Sequence, residues 1–187
     1  ARCLSEGVDV PSLDGVAFID PKRSQVDIIQ AVGRAIRLSD HKTIGTIVLP
    51  VFIEQDDDEI DSIESSNFKA IWDVINALRS HDENLSLELD QLRTQMGSEG
   101  TSEVRNISDK IIFDIPETVD ASFSKSLMTK VVEKTSSSWN FCFGSLLNYY
   151  EIHGDLNIAR DFKTHDGILL GKWISRQRGF KLSLIHI

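Results

Sequence analysis

The sequence predicts an α/β chain that ends in a small all-helical bundle, and three observations carry that expectation. Two apolar, strand-like runs, "VAFID" (Val16 to Asp20) and the β-branched "TIGTIVLPVFI" (Thr43 to Ile53), enclose one helical pattern, the βαβ spacing of a parallel sheet. Beyond an acidic block the apolar period becomes helical. After "TSSS" (Thr135 to Ser138) two further amphipathic stretches follow in a segment too short for an elaborate pocket.

Each element has a local reason. The chain enters with no methionine, directly into the loop-like "CLSEGVDVP", and so reads as the middle of something longer. "VAFID" stops at the turn residue Pro21, and Ser24 with Asp27 forms an [ST]xx[DE] capping signature for a helix running to about Leu38. "EQDDDEIDSIE" (Glu54 to Glu64) is a solvated linker; a divalent-metal loop would need a glycine turn and ordered ligand spacing. Phe68, Ile71, Trp72, Ile75 and Leu78 then share a helical face, with Ser65 or Ser66 as its cap. Leu85, Leu89, Leu92 and Met96 make a second stripe, "GSEGTSE" (Gly97 to Glu103) a flexible break, and "KIIFDIP" (Lys110 to Pro116) a short strand. Phe123, Leu127 and Val131 mark another helix. In the last module Phe143, Leu146, Leu147 and Tyr150 recur at i, i+3, i+4 and i+7 up to "HG", where Gly154 suits a left-handed cap. A short helix is expected around Ile158 to Lys163, and Leu170, Trp173, Ile174 and Gln177 define the final one. "KLSLIHI" breaks the pattern and reads as a last strand or as foreign sequence.

Composition narrows the classes. No run of about 18 apolar residues and no basic-then-apolar leader is visible, so no membrane partner is expected and the cytoplasm is the default location. Cys3 and Cys142 are too few for a disulfide framework or a thiolate zinc site and read as free buried thiols. The net charge of −9 argues against a chain that coats nucleic acid throughout, but residues 139–181 hold six basic side chains against four acidic ones. That +2 leaves −11 for the rest.

The chemistry centres on "QAVGRAIR". On a helix Gln30, Arg34 and Arg37 fall at i, i+4 and i+7, one face with a rise of about 10 Å, while Ile29, Val32 and Ile36 can bury on the other side. Gly33 weakens the helix by roughly 1 kcal/mol relative to alanine, which is tolerable where something approaches the backbone closely. Two guanidinium forks in a fixed row suit phosphate oxygens; they equally suit pairing with nearby acids on an exposed helix.

Upstream context favours the first use. "SEGVDVPSLDGVAFID" followed by "QAVGRAIR" resembles motifs V and VI of superfamily 2 helicases, the DEAD/DEAH-like group close to the restriction-subunit helicases. The resemblance implies that residues 1–53 end the second of two RecA-like domains, whose shared cleft binds ATP with Mg2+. It places Gly7 and Asp9 at the nucleotide, Asp9 at the ribose, gives Gln30 a coupling role, sets Gly33 against the site, and brings Arg34 and Arg37 to the γ-phosphate with Arg37 as the finger. "WNFCFGSLLNYYEIHGDLNIARDFKTHDGILLGKWISRQR" (Trp139 to Arg178) is similar to the helicase-associated domain, through Trp139, Tyr150, His153, Gly154, Leu170, Gly171, Trp173, Gln177 and Arg178. The implied organisation is 1–53, a linker and mostly helical connector over 54–138, the helical domain over 139–181 and a tail over 182–187.

No GxxxxGK[ST] and no DExx box is present, so the ATP and Mg2+ would be held mainly by a RecA-like domain outside this sequence, and this stretch alone should be inactive. Lys172, Arg176, Arg178 and Lys181 are the candidate nucleic-acid contacts, with DNA expected rather than RNA; Trp139 and Trp173 at helical spacing read as core. His153 reads as a helix-terminal residue facing the dipole, and with His165 and no cysteine near it makes no zinc set. The competing expectation is a non-catalytic module that binds nucleic acid or protein.

Overall fold

The computed structural model describes residues 15–19, 25–35, 44–51, 63, 68–100, 104, 107–117 and 119–184. Among these the chain is mostly helical, with a two-stranded parallel sheet and six helices. Strands β1 (Gly15–Ala17) and β2 (Thr46–Val48) pair in the register Gly15↔Thr46, Val16↔Ile47 and Ala17↔Val48, and Phe18 N extends the ladder to Val48 O at 3.0 Å. Helix α1 (Gln25–Ala35) is the crossover between them, so the expected βαβ unit forms, with strands shorter than their apolar runs. The Ser24 cap and the helix end near Leu38 lie outside the described residues.

Helix α2 (Lys69–Arg79) serves two cores because its apolar residues exceed one face. Val74 and Ala77 pack with Ile28 and Val32 of α1 and with Phe18, while Phe68, Ile71 and Ile75 join the largest core. The α2 start has no side-chain cap, and Ser65 and Ser66 lie outside the described residues. Helix α3 (Glu83–Glu99) opens on Asp82, whose carboxylate accepts from Leu85 N at 3.0 Å, and closes on Gly100 at φ 60°.

The flexible break expected from Gly97 is therefore corrected: α3 continues through Gly97 to Glu99. The cause is tertiary. A Cβ on Gly97 would overlap the Phe141 carbonyl oxygen and fall 3.0 Å from Ser145 N, and a Cβ on Gly144 would overlap the Thr94 carbonyl oxygen and fall 2.9 Å from Ser98 N. Two glycines thus face each other across a close crossing of α3 and helix α5 (Ser138–His153), which Asn148 locks by donating to Ser98 O at 2.5 Å.

"KIIFDIP" is not a strand. Its alternation is real, with Ile111, Phe113 and Ile115 packed on the largest core and Ile112 87% exposed, but no neighbouring strand among the described residues pairs with it. Alternation alone produces an extended segment; a ladder needs a partner. Helix α4 (Ala121–Thr135) starts at Asp120, which caps Ser122 N at 2.8 Å, and buries Phe123, Leu127, Val131 and Val132.

Phe141 of α5 belongs to that same largest core, so the last module is joined to the connector by shared apolar packing. The helix expected over Ile158 to Lys163 is replaced by turns: Asp155 accepts from Asn157 N at 2.8 Å, and Phe162 N bonds Ala159 O at 3.0 Å. This loop lies against the start of helix α6 (Leu170–Leu184), where a Cβ on Gly171 would overlap the Ala159 carbonyl oxygen. Ile158, Leu170 and Ile174 form its small core. Helix α6 runs into the residues set apart as a tail.

Candidate functional site

On α1, Ile28, Val32 and Ala35 are buried, and Gln30, Gly33 and Arg34 are partly exposed beside that stripe. The helix thus presents the glutamine and the first arginine away from its sheet-facing side, about 6 Å apart along the axis. What approaches Gly33 is a side chain of this protein: the His81 ring, from the turn between α2 and α3, has Nε2 3.4 Å from where a Cβ would stand. That is ordinary contact distance, so the ring leaves room for a Cβ, and the neighbour is a histidine that sequence spacing alone could not connect to position 33. Gly7, Asp9 and Arg37 lie outside the described residues. Among the described residues, no three His, Cys, Asp or Glu side chains gather as metal ligands would.

In the helical module the outward face is aromatic. The face of α5 that packs inward is Phe141, Cys142, Gly144 and Ser145. The recurring stripe Phe143, Leu146, Leu147 and Tyr150 is split: Leu146 packs on the small core, whereas Leu147 and Tyr150 are exposed, Tyr150 at 52%. Small residues won the inward face because α3 approaches at glycine distance. Trp139 is likewise not core. It is 45% exposed, stacks on Phe143 at 5.1 Å with an interplanar angle of 12°, and meets Trp173 edge-on at 6.0 Å. Trp173 itself is partly buried on the small core. The overlooked signal is that Trp139, Phe143, Leu147 and Tyr150 recur at i, i+4, i+8 and i+11, while Gly144 and Ser145 mark the opposite face.

The candidate cations divide. Lys172 and Arg176 are exposed and one turn apart on α6, flanking Trp173. Arg178 donates to Leu156 O at 2.9 Å, which ties one arm of its guanidinium to the loop. Nothing is described of the Lys181 side chain. His153 ends α5 with its ring 4.1 Å from that of Tyr149, and His165 is almost wholly exposed, 3.6 Å from Asp166. These rings, with Asn148, Phe162 and Lys163, line a shallow cavity of about 240 Å³. Cys142 is buried, and that burial pushes its thiol above the usual range.

Comparison with known proteins now bears on this module. Residues 136–183 match the helicase associated domain. The helicase-associated segment thus covers α5, the turn-rich loop and α6. A protein named as a probable helicase of African swine fever virus, in isolates from Kenya and from Malawi, is 35% identical over 81 residues, which are 43% of this chain and 9% of the viral protein. Among solved structures, the ATP-dependent Type ISP restriction-modification enzyme LlaBIII bound to DNA is similar with a TM-score of 0.55 and 30% identity over 81% of this chain and 10% of that one. The chain therefore spans about a tenth of the length of the proteins it matches. The resemblance to restriction-type helicases expected from the sequence is borne out: the chain carries a segment that matches the helicase associated domain and is similar over most of its length to part of a restriction-modification enzyme.

Proposed function

We propose that this region works within an ATP-dependent helicase or translocase acting on DNA rather than RNA, with α1 facing the ATP cleft and the helicase-associated segment facing the nucleic acid. The observation that carries the reading is the joint match of residues 136–183 to the helicase associated domain and of most of the chain to part of a DNA-bound, ATP-dependent restriction enzyme. In this reading Arg34 and Arg37 meet the γ-phosphate, Arg37 as the finger, and Gln30 relays cleft closure. Gly7 and Asp9 sit at the nucleotide. Mg2+ and most of the ATP contacts come from a partner RecA-like domain outside this sequence. Lys172, Arg176, Arg178 and Lys181 supply phosphate contacts, and closure on ATP followed by opening after hydrolysis moves the two domains along a strand.

The fit on α1 is chemical as well as positional. A carboxamide and a guanidinium, both partly exposed and four residues apart on a helix anchored by Ile28 and Val32, suit a donor row, and donors positioned in advance stabilise developing phosphate charge without reorganising. In the full-length parent, Arg37→Ala should lower ATP turnover by about 10³-fold or more while DNA binding stays near normal. Turnover within a few-fold of the parent would discard the cleft assignment.

A further inference from the structure

We propose that Trp139 and Phe143, closed on one side by Trp173, form a stacking platform for an unpaired nucleobase, with Lys172 and Arg176 holding the adjoining phosphates. The proposal deepens the nucleic-acid reading above and rests on it.

A tryptophan 45% exposed leaves a large apolar surface in water, and an aromatic face in water is a ready stacking partner. Its ring is held. Phe143 lies nearly parallel beneath it at 5.1 Å and 12°, and the Trp173 ring meets it at 60° from the neighbouring helix, so the plane is set before any ligand arrives. A pre-set plane lowers the entropic penalty of stacking.

The charge pattern selects the occupant. Residues 139–181 carry +2 on a chain whose net charge is −9, and Lys172 and Arg176 are exposed on the helix that supplies Trp173. Trp139 also stands in the first turn of a 16-residue helix, where the backbone dipole favours an anion. A platform of aromatic rings beside cations suits a single strand, whose bases are free to stack and whose phosphates need neutralising. A duplex keeps its base faces inside the stack and could use only the cations.

The test uses the whole chain with a 15-nucleotide oligothymidylate and a duplex of equal length, read by anisotropy and by intrinsic fluorescence at several salt concentrations. Of the three tryptophans, Trp72 packs on the largest core, so quenching on binding reports the platform. Single-strand binding should quench the fluorescence. Trp139→Ala should weaken that binding about tenfold and leave the salt dependence unchanged, while Trp139→Phe, which keeps a ring, should stay close to wild type. Lys172→Ala with Arg176→Ala should instead flatten the salt dependence by roughly one to two charges. Salt-dependent binding that Trp139→Ala leaves untouched, with no quenching, overturns the platform but not the nucleic-acid reading, and leaves the aromatic stripe to a protein partner. Absence of binding to both probes at low salt overturns the reading and the platform together.

Discussion

Gly33 shows how one residue can be legible in kind and illegible in cause. A glycine inside an amphipathic helix suggests a close approach, but the neighbour the structure shows, the His81 ring at 3.4 Å from where a Cβ would stand, is at ordinary contact distance. The far end of a histidine side chain can yield by a few tenths of an ångström. Gly33→Ala should therefore raise the stability by up to about 1 kcal/mol, the helix-propensity gain, as measured by thermal or urea unfolding. If the same glycine also lets nucleotide approach the arginine row, ATP turnover of the parent should fall while stability rises. A loss of stability would mean that the ring is wedged in place.

Asp82 makes a second residue-scale case. It caps α3 through Leu85 N, and Lys110 Nζ donates to it at 2.5 Å; that bond with Lys110 is the first cause holding its carboxyl below the ordinary 3.8. Since the folded form binds its proton less readily than the unfolded chain, the cap's contribution is fully present above pH 3.8 and is lost as pH falls through the lower folded value. Asp82→Ala should thus lose about 1 kcal/mol at neutral pH, and the gap in melting temperature between variant and wild type should shrink under acid titration. A gap that stays constant down to the acid limit would contradict the ionised cap.

At the scale of elements, the crossing of α3 and α5 organises the molecule. Its glycines leave the two backbones in contact, so added volume has nowhere to go. Gly144→Val should cost about 1 to 3 kcal/mol through separation of the helices, measured by denaturant unfolding, and combination with Gly97→Val should cost less than the sum because both relieve or strain one contact. Strict additivity would mean that the two sites are independent. Arg93 reinforces the crossing from the side, with its guanidinium 4.6 Å from the centre of the Phe141 ring and 3.4 Å from the Glu133 carboxylate of α4. Helix existence was legible here in the apolar spacing of 68–78, 85–96, 123–131 and 170–177, and each expectation found a helix. The choice of inward face on α5 was not, because Phe143 and Leu147 are as apolar as Phe141, and only the partner helix breaks that tie.

At the scale of the whole molecule, the largest core runs from Ile63 and Phe68 through α3 and α4 to Phe141 of the helicase-associated segment. Connector and segment share that core, so they should unfold together. Urea unfolding of the chain followed by far-UV circular dichroism and by tryptophan fluorescence should give coincident curves for residues 68–184, and truncation after residue 135 should abolish the cooperative transition by exposing the partners of Phe141 and Gly144. A truncated chain with an intact transition would show the connector to be self-sufficient. For function, the consequence is mechanical: α2 touches α1 with Val74 and Ala77 and the largest core with Ile71 and Ile75, which makes it the shared wall between the arginine helix and the connector.

The linear order of residues was enough to establish the βαβ beginning, the run of helices, the capping glycine at Gly154 and the resemblance that identifies the last segment, because period, cap chemistry and motif spacing are all local properties. Only the tertiary structure decided that α3 runs through Gly97, that 111–116 finds no strand partner among the described residues, that residues 158–163 turn instead of coiling, and that Trp139 is half exposed. Each of those depends on which backbone arrives opposite, at what distance, and a sequence does not carry the identity of its neighbours in space.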